Sequence, residues 1–231
     1  MSTRVIGYGT SPEQIMEVQE ARAGAARPLV IIVHGGFWRP DIDRVHARPM
    51  ADAVAAAGWS VALPEYSRVP RDPEPTLGDL RVLLAQAVAR MGAHNGRVVL
   101  IGHSAGGHLV LWASAARLCP TLIGTLALAP VADLRLAHQR GLGNGAVARF
   151  LGCEPQRRPD LDPCRMRASP AAVTLVHGIE DDTVPLALSE SYVAAHPGRL
   201  VALSDCGHYE VIDPQAPAWA TVMAELVRLS P

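Results

Sequence analysis

Along this chain, short unbroken apolar runs alternate with longer segments whose apolar positions recur every three or four residues. The runs are strand-sized: Leu29–Val33 (LVIIV), Trp59–Leu63, Val98–Ile101 (VVLI), Thr125–Leu128, Val173–Val176 and Leu200–Leu203. A strand with one wet face alternates apolar and polar residues, whereas one buried on both faces has no need to. These runs therefore predict an α/β architecture, a mostly parallel central sheet with helices on both faces. Arg4–Tyr8 and Gln14–Gln19 read as an antiparallel hairpin at the sheet edge. From Thr76 to Met91, Leu77, Leu80, Leu83, Leu84, Ala87 and Val88 share one helical stripe, with Thr76 as a cap and Asp79 in a box-like position three residues on. A last helix is expected over Pro217–Leu229, with Trp219, Val222, Met223 and Leu226 on one face and Pro217 in the first turn. Segments 44–57, 105–118 and 185–195 complete the helices.

The stretch 135–170 breaks this pattern. It mixes Gly, Pro and Arg and offers one short helix, near Gly145–Leu151. A segment of that length between two buried strands predicts a small cap or rim over a site. No internal repeat or low-complexity linker divides the chain, so residues 1–231 read as a single domain.

Composition narrows the chemistry. The 21 basic and 22 acidic residues nearly cancel, which argues against a nucleic-acid-binding surface. All 21 basic residues are Arg, so these residues can form no lysine Schiff base, no pyridoxal-phosphate attachment and no phosphate-loop lysine. Cys119, Cys153, Cys164 and Cys206 form no CxxC pair and read as thiols rather than disulfides or metal ligands. His46, His94, His103, His138 and His196 likewise lack ligand-like spacing, and no metal or cofactor is expected. With no membrane-length apolar run and no leader-like start, the expected setting is cytoplasmic, without a membrane partner.

The chemistry concentrates at strand ends. Val98–Ile101 runs into Gly102-His103-Ser104-Ala105-Gly106-Gly107-His108, a strand, then Gly-x-Ser-x-Gly, then a helical pattern. A sharp strand-to-helix turn would strain Ser104 and leave no room for side chains two residues either way, hence Gly102 and Gly106. The following helix aims its N-terminal N–H groups at the same point, which favours a negatively charged intermediate. Leu29–Val33 ends in His34-Gly35-Gly36-Phe37-Trp38, a loop whose backbone N–H groups, with that of Ala105, would make an oxyanion hole. His34 itself is expected to hold the loop rather than move protons. A base and an acid should follow in chain order. His208, in the loop after the last strand, is the expected base. For the acid, Glu180, Asp181, Asp182, Asp205 and Asp133 all lie near the right strand ends. Asp181 is preferred, which leaves Asp182 to start the next helix.

With these motifs in view, the chain resembles the α/β-hydrolase superfamily over nearly its full length. HGGFW and GHSAGGHL, with YGTSPEQIMEV, HGxxDxxVP at 177–185 and GHYEVIDP at 207–214, are similar to the kynurenine formamidase (arylformamidase) branch and its esterase and lipase relatives. Phe37 stands where many of those esterases keep a third glycine, which favours the formamidase side. The resemblance implies an α/β-hydrolase fold, with Ser104 as nucleophile, Asp181 as acid, His208 as base, and oxyanion donors at Gly36, Phe37 and Ala105. The function it implies is a serine hydrolase of small esters or amides, with an N-formylated aryl amine stacked on Phe37, Trp38 and Tyr209. The alternatives are an acyltransferase or cyclase of secondary metabolism using the same residues, or a non-catalytic binding module. A small-molecule ester or amide is the expected partner, and a homodimer is compatible with the chain.

Overall fold

In the computed structural model, which describes residues 3–21 and 26–231, an eight-stranded sheet carries the chain. Residues 1–2 and 22–25 of the expected single domain lie outside the described residues. The strands are β1 (Arg4–Gly7), β2 (Ile15–Gln19), β3 (Leu29–Val33), β4 (Ser60–Pro64), β5 (Val98–His103), β6 (Leu122–Leu128), β7 (Ala172–Gly178) and β8 (Arg199–Leu203). Their spatial order is β1-β2-β4-β3-β5-β6-β7-β8. β1 and β2 form the expected antiparallel edge, β2 runs antiparallel to β4, and every other pairing is parallel.

The unbroken apolar runs have a direct cause. In β3, Leu29, Ile31 and Val33 enter one core while Val30 and Ile32 enter the other, and β5 splits the same way between Val98, Leu100 and Val99, Ile101. The first core packs beneath α2 (Glu74–Arg90) and α3 (Ala105–Ala115); the second packs beneath α1 (Arg48–Ala56) and α7 (Ala218–Arg228). Every residue of α3 is buried. A helix apolar all round must be covered on its outer side as well.

That cover is the segment expected as a cap. It carries α4 (Leu134–Gln139), α5 (Leu142–Leu151) and short 3-10 turns at Pro155–Arg157 and Pro163–Arg165, more structure than the single helix expected. Left-handed backbone at Gly143, Asn144 and Gly145 confines regular helix to the end of α5, where the sequence predicted it. The segment lies against α3, where His108 Nε2 donates to the Leu161 carbonyl at 2.8 Å and the Ser114 and Ser169 hydroxyls meet at 2.6 Å. After β7, α6 (Ala187–Ala195) leads to β8.

The predicted capping box at Thr76 does not form. α2 starts at Glu74, with Pro73 in the N-cap position and no side-chain cap, and Thr76 sits buried in its first turn, donating to the Ser67 carbonyl. Asp79 instead accepts from Gln14 Nε2 at 2.8 Å and from the Ser67 N–H at 2.7 Å, tying the hairpin to the helix. A tertiary acceptor role has displaced a local one.

Two glycines separate close packing from mere permissiveness. A Cβ on Gly106 would stand 2.1 Å from the Val33 carbonyl oxygen, whereas one on Gly78, inside α2, would meet nothing within 4 Å. Gly78→Ala is expected to stabilise the fold by about 0.5–1 kcal/mol through lost unfolded-state freedom. Gly106→Ala should cost about 3 kcal/mol or more, because the clash is with backbone. Urea unfolding of the two variants measures both, and equal effects would contradict this packing.

Candidate active site

Backbones approach closely where β5 meets α3. Ser104 holds φ 55° and ψ −118°, a strained conformation for any residue with a Cβ. It is locked there by its N–H to Leu128 O at 2.9 Å and by its carbonyl, which accepts from the N–H groups of Val131 and His108 at 3.1 Å. A Cβ on Gly102 would lie 2.3 Å from the Gly106 carbonyl. Only glycine fits at either position, and the turn lifts Ser104 to the carboxyl edge of the sheet.

His208 follows β8 on the same edge. Its Nδ1 donates to Asp181 Oδ2 at 2.7 Å, so its Nε2 is the nitrogen left for proton exchange. Both side chains are buried. The other Asp181 oxygen accepts from the backbone N–H groups of Val184 at 2.7 Å and Thr183 at 2.9 Å. Burial pushes the Asp181 carboxyl up, but His177, His208 and the Val184 N–H outweigh it and hold the group well below the usual carboxylate range. Asp182 is exposed and, among the described residues, accepts only from the Thr183 hydroxyl at 3.1 Å. Of the acids left open by the sequence, Asp181 is thus the one that reaches His208. Asp133 caps α4 instead, bonding the Leu136 N–H at 2.8 Å.

A further histidine completes this arrangement, one the motif reading passed over. His177, at the end of β7, is fully buried, with Nε2 2.7 Å from the Val184 carbonyl and 3.2 Å from Asp181 Oδ2. Its Nδ1 lies 2.7 Å from the Ser189 hydroxyl. A carbonyl only accepts, so Nε2 carries the proton and also points it at Asp181. The His of HGxxDxxVP was the available sign.

Ser104, His208, Gly36, Phe37 and Tyr209 all line one cavity of about 420 Å³, together with Arg39, Ile42, His46, His103, Thr183 and Ile212. Gly36 (φ 114°), Phe37 (φ 51°) and Trp38 (φ 54°) form a left-handed run, which brings the loop's backbone against the site. Ala105 opens α3 directly after Ser104. Trp38, expected to touch substrate, is placed elsewhere. It is buried, stacked on Phe150 at 4.6 Å and edge-on to His108 at 5.2 Å, because the second left-handed residue turns it under the loop. No described residue lining the cavity comes from 135–170.

Beneath the loop, His34 is fully buried and stacks on Tyr66 at 4.4 Å. Its Nδ1 donates to Gly35 O at 2.8 Å and its Nε2 lies 3.0 Å from Glu65 Oε1. Burial raises the Glu65 pKa, but the bonds and charges of His34 and Arg68 more than reverse this, leaving it well below the normal range. His103 clamps the base from the other side, with Nε2 donating to the His208 carbonyl at 3.0 Å. Among the described residues no group of three or more His, Cys, Asp or Glu side chains could hold a metal, and no helix is long and apolar enough to cross a membrane. All four cysteines are free thiols.

With this geometry in place, comparison with known proteins identifies the family. A family model described as the alpha/beta hydrolase fold matches residues 30–156, more than half the chain, and the chain belongs to that family. An esterase of Fusarium pseudograminearum is 33% identical over 112 residues, covering 45% of this chain and 35% of that protein. Esterase LipC of Mycobacterium tuberculosis is 23% identical over 235 residues, covering 90% of this chain and 58% of that protein. The chain thus spans between about a third and three fifths of the length of these curated relatives. Among solved structures, esterase B of Lactobacillus rhamnosis, inhibited by a tributyrin phosphonate, superposes with a TM-score of 0.79 at 20% identity, covering 98% of this chain and 85% of that one.

Acid should unfold this protein partly through two neutral histidines. Burial pushes the His103 pKa to about 3 and the His108 pKa to about 4, from an ordinary 6.5. Below pH 6.5 the unfolded chain binds protons that the folded chain refuses, so stability falls as pH drops from 6.5 towards those values. His108→Gln keeps a donor for Leu161 and is expected to make the stability lost between pH 7 and pH 5 smaller by about 1–2 kcal/mol. Urea unfolding at the two pH values tests this; an unchanged difference would count against a neutral His108.

Proposed function

We propose that the protein is a serine hydrolase of the carboxylesterase type. The observation that carries this reading is the His208–Asp181 pair at 2.7 Å, on a cavity whose wall also holds the strained Ser104. In the proposed sequence the Ser104 hydroxyl attacks the ester carbonyl as His208 Nε2 takes its proton. Asp181 fixes the ring tautomer and stabilises the imidazolium. The N–H groups of Ala105, Gly36 and Phe37 receive the oxyanion, where one donor is typically worth about 10²–10³ in turnover. His208 then protonates the leaving alcohol, and water releases the acyl group through the same base. The esterase names of the relatives and the phosphonate inhibition of esterase B support the class.

A narrower reading, hydrolysis of an N-formylated aryl amine, is favoured by Phe37 and Tyr209 on the cavity wall. Two aromatic rings beside a small acyl site suit an aryl leaving group.

A fluorophosphonate should label Ser104 and no other residue. Ser104→Ala should lose the label and about 10³-fold or more of nitrophenyl butyrate turnover, and Asp181→Asn about 10⁴-fold, while Asp182→Asn stays near the parent. Retained turnover in Ser104→Ala would overturn the mechanism. A panel adding N-formylkynurenine tests the narrower reading: ester turnover with no formamide turnover removes it and keeps the esterase.

A further inference from the structure

We infer that Arg39 is an anion subsite and that the cavity takes esters or amides whose substrate carries a carboxylate. This rests on the hydrolase reading above and names its substrate class. The wall of the cavity is mainly apolar, through Phe37, Ile42, Tyr209 and Ile212, and none of its described residues is Asp or Glu. Arg39 is the one arginine among them.

Its neighbours show why this charge differs. Arg44 pairs with Glu17 at 2.8 Å and with Glu65 at 3.4 Å, Arg48 pairs with Glu17 at 2.7 Å, and Arg68 pairs with Glu65. Each of these guanidinium groups has its counter-charge within the fold. No described carboxylate pairs with Arg39; among the described residues its single side-chain hydrogen bond runs from Nη2 to the Gly143 carbonyl at 3.2 Å. A half-buried cation among apolar groups is disfavoured until an anion meets it. Burial lowers the pKa of His46 on the same wall and so disfavours a second charge there, outweighing the bond from its Nδ1 to Asp43 O at 2.8 Å, which acts the other way.

Arg39 is also held in advance. Its N–H bonds Gly36 O at 3.0 Å, its own carbonyl accepts from Arg68 Nε at 3.0 Å, and its guanidinium stands 5.8 Å from the Phe37 ring. It therefore belongs to the same turn as the proposed oxyanion donors. The guanidinium has five N–H donors in a planar fork, and one carbonyl occupies only part of that capacity. The remainder matches a carboxylate, and a side chain fixed beforehand loses little freedom on binding.

The test compares matched substrates with and without the charge: mono-4-nitrophenyl glutarate against 4-nitrophenyl butyrate, and 4-acetoxybenzoate against 4-acetoxytoluene. In one pair the parent protein should favour the anion in kcat/KM by about 10- to 100-fold, mostly through KM and less so in high salt. Arg39→Gln should collapse that ratio, and Arg39→Lys should restore part of it. If Arg39 only clamps Gly143, both members of each pair fall together and the ratio survives, which overturns the proposal, as does a parent with no anion preference in either pair. A calorimetric arm needs no turnover: monobutyl glutarate should bind Ser104→Ala at least about tenfold more tightly than Ser104→Ala/Arg39→Gln. Equal affinities there would overturn the subsite even if ester hydrolysis holds, and a tenfold loss would sustain it even if hydrolysis fails.

Discussion

The contact on which the site depends is between backbones, where the first turn of α3 passes over the ends of β3 and β5. A Cβ on Gly106 would lie 2.1 Å from Val33 O and 2.4 Å from His34 O, and one on Gly35 would lie 2.9 Å from His103 O. No side chain fits in that junction, so the two strand ends and the helix start sit closer than ordinary packing allows. Ser104 takes a left-handed φ because the chain must reverse there within one residue. The strain is sustained by burial of α3 on every side, which makes the helix costly to shift. The nucleophile candidate and the loop beginning at His34 are thus fixed relative to each other by main-chain geometry, before any side-chain chemistry is considered.

Electrostatics does the corresponding work at the other two corners. Asp181 and Glu65 are both buried carboxylates, and burial alone would push each towards the neutral form. Each remains ionised because donors converge on it: two histidines and two backbone N–H groups on Asp181, and His34, Arg44 and Arg68 on Glu65. A paired buried charge contributes less to stability than to position, since removing one partner strands the other. Glu65 positions the loop of His34-Gly35-Gly36, and Asp181 positions His208. The parallel is geometric as well as electrostatic: Glu65 holds His34 beneath the cavity, and Asp181 holds His208 on its wall with His177 behind.

Most of the sheet was legible in the sequence because strands buried on both faces leave an unambiguous apolar run, and β3 ends where LVIIV ends. The elbow was legible for a related reason, since its glycines answer to backbone clashes that any sequence of this shape must avoid. What escaped reading was set by distant parts of the chain. Thr76 is a good cap in isolation, yet Ser67 and Asp79 recruit that corner for tertiary bonds. His177 was given no role of its own just past the expected strand Val173–Val176, and only the folded position of Asp181 makes it a donor to the acid. Trp38 was misplaced because side-chain direction in a loop depends on φ, which composition does not report.

The same loop explains how the segment 135–170 bears on the site without walling the cavity. Consecutive left-handed residues send Phe37 to the cavity and Trp38 to Phe150 of α5. Gly143, itself at φ 58°, lets the chain pass so near that an added Cβ would stand 2.8 Å from the Phe37 ring, while its carbonyl accepts from Arg39. Three successive loop residues, Phe37, Trp38 and Arg39, therefore touch that segment. A displacement of α5 must move the ring and guanidinium facing the cavity, because a close-packed contact of this kind cannot deform by a few tenths of an ångström without cost. The segment expected as a cap or rim acts as a brace, and it bears on the cavity through the position of one turn rather than as part of the cavity wall.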